Sequence, residues 1–408
     1  MPTTPFRTRA GALLRRVAGA GRATEAGGIG LAVATVVALV WANWPGSLSY
    51  QTVWEATAPW SSPLGLTLSL REWINDGAMV GFFTLVGLEI RREMTAGELR
   101  SWHRCATPLV AAAVGMAVPA LLYTAILHGG PGAGGWGIPM ATDVAFAIGA
   151  LAVLARGVSP RVRVFLLTLA VADDIGSVII LVVVYSRRID GVALGAGLAF
   201  LGAMVLVRSR AAPAAWVFWL LGAACWWAFV HAGVEPAVVG FAIGLCLPTT
   251  SKRARGGTGR AWGRGPRHWE HRLEPWVNLA VLPAYALANT GLRVAGSGLG
   301  SGAALRILVA VVVARVVGKT VGIGAAAVAV SRVAGPRYRP RIAPRPLLGV
   351  GALASIGFTV PLLIIRSALP DGPLVAGATA GLLVTTVIGF ALGAVLFAIP
   401  RGGSYARR

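Results

Sequence analysis

Charge is scarce in this chain of 408 residues: 13% of it is Asp, Glu, Lys or Arg, against about 25% in a soluble globular protein. Acids are scarcer still, at 15, and lysine is nearly absent, with Lys252 and Lys319 its two occurrences among 37 basic residues. There are three cysteines, Cys105, Cys225 and Cys246, with no CxxC spacing, which excludes a disulfide scaffold and a cysteine-based metal site. Too little polar surface remains for an ordinary soluble enzyme, and too much apolar residue for a disordered chain. What is present instead is 56% hydrophobic residues and a mean hydropathy of +0.72. Long apolar runs recur between short gaps rich in Arg, Gly or Pro. That is the composition of a polytopic α-helical membrane protein.

Reading apolar runs of roughly 17–25 residues as spans predicts twelve: Gly27–Trp44, Ile74–Ile90, Ala106–Leu127, Trp136–Ala155, Val164–Tyr185, Val192–Val207, Ala214–Val230, a short Val234–Leu247, Val277–Leu292, Ala303–Val330, Leu347–Ile365 and Pro373–Ile399. The start, FRTRAGALLRR before GIGLAVATVVALVWAN, imitates a secretion signal, but no A-x-A site closes it, so its apolar part is read as the first span. Between spans 1 and 2, the alternation in LTLSL suggests a small surface hairpin or a lying segment. The net charge of +22 is dispersed among loops, which argues against a nucleic-acid surface. With the N-terminus placed in the cytoplasm, 29 of the 37 Lys/Arg fall inside, five outside and three within span 10. This positive-inside bias predicts both termini in the cytoplasm. The expected organisation is one transport domain over 27–399, with a basic N-terminal stretch 1–26 and a tail 400–408.

Two spans carry helix breakers. Span 4 holds Pro139 and the pair Thr142–Asp143; span 11 holds Gly349, Gly351, Gly357 and Pro361. They are seven spans apart and so run in opposite directions. Interrupted helices at corresponding places of two oppositely oriented triplets (spans 3–5 and 10–12) point to a transporter built from inverted repeats.

Asp143, Asp173 and Asp174 stand where a charge costs roughly 2.5–3.5 kcal/mol on insertion scales. Asp173 and Asp174 are adjacent, so their side chains diverge by about 100° on a helix. They cannot jointly act on one substrate as a protease dyad does, but one can face a cavity while the other meets a neighbouring helix. Carboxylate oxygens beside a hydroxyl suit a small desolvated cation, and the same oxygens can take a proton instead. Competition of that kind is the chemistry of exchange. Lys319 lies within span 10, and unlike arginine it can lose its proton. Arg315 precedes it by one turn on the same face, and the sequence names no partner for it. Two glycine patterns, GAGGWG at 132–137 and GVGALA at 349–354, follow no strand and carry no dinucleotide reading. His268 and His271 are three apart in a basic loop, without metal-ligand spacing.

Several segments together resemble the NhaA-type sodium/proton antiporters of bacterial membranes: INDG and FFTLVGLEIRREM, GWGIPMATDVAFAIGALAVL, LAVADDIGSVIIL, WEHRLEPWVNLAVLPAYALANTG, VVGKTVGI and ASIGFTV. The resemblance implies Asp174 as the principal cation ligand, with Na+ at Asp174 and Asp173, Asp173 as its partner in ion and proton handling, and an oxygen from Thr142. It implies that Asp143 and Lys319 balance helix-end dipoles where the broken helices cross, or alternatively that Lys319 pairs with Asp173. Glu89, Glu93, Glu270 and His271 match the family's pH-responsive region. Two departures are evident: Glu235 stands in GVEP where the family often has His, and Thr320 follows the span-10 lysine where many members have Pro.

The resulting expectation is an all-α secondary antiporter of the bacterial inner membrane, exporting Na+ or Li+ against entering protons, electrogenic and pH-regulated, and not an enzyme. No cofactor is expected; the partners are the lipid bilayer and the transported ions, a homodimer is compatible with the reading, and no nucleic acid is expected. A sodium-coupled solute symporter would need a more polar lining than these spans offer. An intramembrane aspartyl protease would need Asp143 and Asp174 on facing helices, and leaves the adjacent pair and Lys319 without a role.

Overall fold

The computed structural model describes residues 27–45, 49–61, 65–96, 102–155, 158–186, 189–209, 215–247, 266–333, 342–370 and 372–398. The termini expected in the cytoplasm, and the basic stretch around Lys252, lie outside them. The described chain is helical from end to end. Its one strand-like feature is an antiparallel bridge between Thr57 and Ser69, flanked by backbone bonds from Ala58 N to Leu68 O and from Leu70 N to Ala56 O, each 3.0 Å. The LTLSL segment therefore does fold back, onto the residues after a short helix Ser49–Glu55. A Ser69/Glu72 capping box then opens the next helix.

Among the described residues four helices are long and apolar enough to cross a membrane: Cys105–Leu127, Pro160–Tyr185, Gly302–Val330 and Pro373–Ala398; the pair Pro344–Ala354 and Thr359–Ala368, bent by 48°, makes a fifth when counted as one span. Shorter apolar helices include Gly27–Asn43, Val144–Leu154, Gly191–Val207 and Trp216–Ala232.

The chain divides into two compact units, one of residues 1–92 and 186–291, the other of 93–185 and 292–408. In the first, helices Gly191–Ser209 and Ala215–Ala232 pack side by side, and Ala237–Cys246 packs against both. Two of its helices begin from or run through a π-turn, at Trp73–Ala78 and Val277–Val281. Asn289 Nδ2 donates to Asn75 Oδ1 at 2.7 Å, joining those two stretches through a buried amide pair.

The second unit holds both interrupted spans, together with Asp143, Asp173, Asp174, Arg315 and Lys319. Pro373–Ala398 lies along Gly302–Val313. At Gly381 a Cβ would approach Leu308 O to 2.9 Å, so this packing needs the bare glycine face that brings membrane helices together. Trp102–Leu127 packs on Pro160–Tyr185 and on the helix after residue 314. Leu166, Leu169, Ile323, Val350 and Leu353 belong to one buried aliphatic cluster, a rigid low-dielectric shell that fixes the breaks.

Span 4 differs from its expected extent. Trp136–Asp143 forms turns and an extended stretch, and the helix begins only at Val144. The backbone is still extended at Asp143, whose side chain caps the helix Val144–Leu154.

Candidate functional site

The two breaks meet. Asp143 N donates to Ile356 O at 3.0 Å, and Thr142 Oγ1 lies 2.9 Å from Ala354 O. Each interrupted helix leaves orphan amides at its new start and orphan carbonyls at its new end. In an apolar interior these must be satisfied by the protein.

Asp143 serves both starts. Its Oδ1 accepts from Phe146 N at 3.1 Å, in the first turn of Val144–Leu154. Its Oδ2 accepts from Thr359 Oγ1 at 3.2 Å and lies 3.4 Å from Thr359 N, at the start of Thr359–Ala368. A carboxylate there is favourable for both helix dipoles.

The carbonyl side is held by Arg315, for which residue types alone name no partner. Its Nε donates to Ser355 O at 3.0 Å, Nη1 to Ile138 O at 2.9 Å and Nη2 to Ala141 O at 2.7 Å. The guanidinium is fully buried, and its planar fork matches acceptors presented by both breaks. Gly357 makes room for it: a Cβ there would run into the guanidinium and sit 2.9 Å from Ala141 O. Arg315 and Lys319 both lie on a π-turn, Ala314–Lys319, a one-residue swelling of the helix that recurs at functional sites.

Lys319 is placed elsewhere. Its Nζ donates to Asp173 Oδ2 at 2.6 Å and to Thr142 Oγ1 at 2.7 Å. Thr142 Oγ1 lies 2.6 Å from the same Asp173 oxygen. Asp173, Lys319 and Thr142 thus form a tight buried triangle. Of the two geometries open to Lys319, the structure has the ion pair with Asp173, while the helix-end carbonyls go to Arg315. Asp174 is also buried, on the next position of Pro160–Tyr185. A charge pair taken out of water is retained at a cost and breaks expensively, so its presence here calls for a function.

The other sequence candidates fall elsewhere. In the first unit Arg92 bridges Glu270 at 3.0 Å and Glu89 at 3.5 Å. His271, beside Glu270, is exposed, and Glu235 is half-buried. Glu93, in the second unit, is buried. The sequence marks Glu89 and Glu270 as candidates but not Arg92, the hub that joins them.

Broken apolar helices that meet beside buried carboxylates, in a chain with membrane-length helices, characterise membrane-embedded secondary transporters. Sequence comparison narrows this. A family profile described as Na+/H+ antiporter 1 matches residues 20–397. The chain is 37% identical over 411 residues to the Na(+)/H(+) antiporter NhaA of Acidovorax sp. (strain JS42), covering 95% of this chain and 92% of that one. With the Na(+)/H(+) antiporter NhaA of Thermobifida fusca (strain YX) it shares 37% identity over 419 residues, 98% and 96% of the two chains. With the Na(+)/H(+) antiporter NhaA 1 of Frankia alni (strain DSM 45986 / CECT 9034 / ACN14a) it shares 39% over 388 residues, 92% and 89%. The chain belongs to the NhaA family of Na+/H+ antiporters, which sets aside the symporter and protease readings.

Proposed function

We propose that this protein exports Na+ or Li+ across the bacterial inner membrane in exchange for more than one entering proton per cation, by alternating access and without ATP. The Asp173–Lys319 pair, 2.6 Å long and fully buried, is the observation that carries this reading. Asp174 is the principal cation ligand, with Asp173 and Thr142 supplying further oxygens. In the proton-loaded form Lys319 occupies Asp173. An arriving cation binds the carboxylates, takes the place of a proton on Asp174 and displaces the ammonium, which gives up a second proton; on the other side of the membrane the order reverses. Asp143 and Arg315 hold the ends of the broken helices while the carboxylates change partners. Transport is regulated by pH through the region of Glu89, Glu93, Glu270 and His271, with Glu235 altering the response because a carboxylate has no cationic form.

The test is a vesicle assay. Purified protein is reconstituted with an entrapped pH dye and a proton gradient, and Na+ or Li+ is added outside. Cation-dependent dequenching that depends on membrane voltage is expected. Dequenching absent over pH 6–9, or present but insensitive to voltage, would refute the antiport or its electrogenicity respectively.

The proposed topology is twelve spans, with spans 3–5 and 10–12 as inverted repeats and both termini cytoplasmic; the bias of 29 Lys/Arg inside to five outside supports it. A reporter active only in the cytoplasm should be active after Arg408 and silent when inserted at Gly132. Activity at Gly132, or silence after Arg408, would overturn the twelve-span arrangement.

A further inference from the structure

Hydroxyls buried in membrane helices ordinarily satisfy themselves on the carbonyl one turn back. Among the described residues Thr35, Thr84, Thr168, Ser367, Thr385 and Thr386 each donate to the i−4 carbonyl at 2.7–3.1 Å. Ser177 does not. It lies within the unbroken helix Pro160–Tyr185, is 1% exposed, and its Oγ has no hydrogen-bond partner. Thr320 Oγ1 is likewise without a partner, but it lies on another helix, directly after the π-turn Ala314–Lys319.

The position of Ser177 on its helix is informative. With Asp173 taken as the origin, Asp174 points about 100° around the axis and Ser177 about 40°, one turn further along. Ser177 therefore sits in the angular gap between the two carboxylates, at the i+4 and i+3 spacings that bring side chains together. A second, independent feature lies at the same place. Asp173 Oδ2 takes both the Lys319 and the Thr142 contact, and Asp173 Oδ1, fully buried, takes no hydrogen bond. Two buried oxygens one helical turn apart, neither engaged by a protein donor, flank the position between Asp173 and Asp174.

We infer that the Ser177 hydroxyl is a ligand for the transported cation, donating a neutral oxygen next to Asp173 Oδ1 and the Asp174 carboxylate. A small alkali cation stripped of water takes several oxygens of this kind. Rotation about χ1 lets the Ser177 hydroxyl turn toward a cation when one arrives. This inference rests on the proposed cation site at Asp173 and Asp174.

The experiment measures Na+ and Li+ binding to purified protein by calorimetry, together with the apparent KM and maximal rate of exchange in vesicles. Ser177→Ala should weaken binding and raise KM about fivefold, the equivalent of ~1 kcal/mol, with melting temperature unchanged. Ser177→Thr, which keeps the hydroxyl, should restore affinity. Thr168→Ala, which removes a hydroxyl already bound to its own helix, should leave affinity as in the wild type. Unchanged affinity in Ser177→Ala, or a lower melting temperature without an affinity change, would overturn the assignment. A wild-type protein that exchanges normally beside an unaffected Ser177→Ala overturns this inference alone; a wild type without cation-dependent exchange overturns the antiport reading on which it rests.

Discussion

Asp174→Asn should reduce cation-driven proton release from reconstituted vesicles to background, about 100-fold or more. The amide is nearly the same size as the carboxyl, so the buried helix Pro160–Tyr185 should still pack. What it loses is charge. A desolvated cation needs anionic oxygen to offset its lost hydration; losing ~3 kcal/mol of that compensation is already about a hundredfold in affinity. The amide also cannot bind and release the exchanged proton. Na+ or Li+ binding by calorimetry should vanish together with flux, while the melting temperature in detergent stays near that of the wild type. Asp173→Asn should behave differently. It replaces the charged partner of Lys319 by a neutral amide, leaving a buried ammonium without its counter-charge, and should lower stability as well as transport. Near-normal flux in Asp174→Asn would remove Asp174 from the cation site.

Why these residues are legible in the sequence, and others not, has a physical explanation. Asp143, Asp173, Asp174 and Lys319 are conspicuous because an ionisable group inside an apolar run is costly; the sequence itself displays the anomaly. Thr142 is legible by adjacency to Asp143 and by Pro139 just before it. The meeting of the breaks is only half legible. Helix breakers mark where Val144–Leu154 and Thr359–Ala368 begin, but not that Asp143 N reaches Ile356 O. The role of Arg315 cannot be found by looking for a counter-charge, because its partners are the carbonyls of Ile138, Ala141 and Ser355. Backbone acceptors leave no residue-type signature; the nearest clue is Gly357, whose missing Cβ accommodates the guanidinium. The π-turns at Trp73–Ala78, Val277–Val281 and Ala314–Lys319 are silent for another reason. One extra residue in a turn changes the register of hydrogen bonds without changing apolar composition. Ser177 is inconspicuous because a lone serine among aliphatics usually bonds to its own helix, and only the geometry shows that this one does not.

The separation of Arg315 from Lys319 makes opposite predictions for the two cations. Arg315→Leu should leave three buried carbonyls at the breaks without donors, a loss of about 3 kcal/mol or more at the usual cost of an unmet buried acceptor. It should lower the melting temperature steeply and abolish folding-dependent transport with it. Lys319→Arg should do neither. The ends of the broken helices are already satisfied by Asp143 and Arg315, so a second guanidinium is needed there for nothing, and it can still pair with Asp173. The variant should therefore fold and exchange. Its guanidinium, however, stays charged across the working pH range, so it cannot hand over a proton when Na+ takes its place at Asp173. If Lys319 carries the proton in excess of the one that compensates the cation, its replacement by Arg leaves one charge leaving for one entering. Exchange then becomes electroneutral: dequenching persists, but an imposed membrane voltage no longer changes its rate, and no current is recorded on a solid-supported membrane. The pH dependence should narrow at the same time, since one titrating group has been removed from the cycle. A stable Lys319→Arg protein with wild-type current would reject proton carriage by Lys319 and reduce the Asp173 pair to a structural contact. An unstable Lys319→Arg protein alongside a stable Arg315→Leu protein would reverse the division of labour read from the hydrogen bonds.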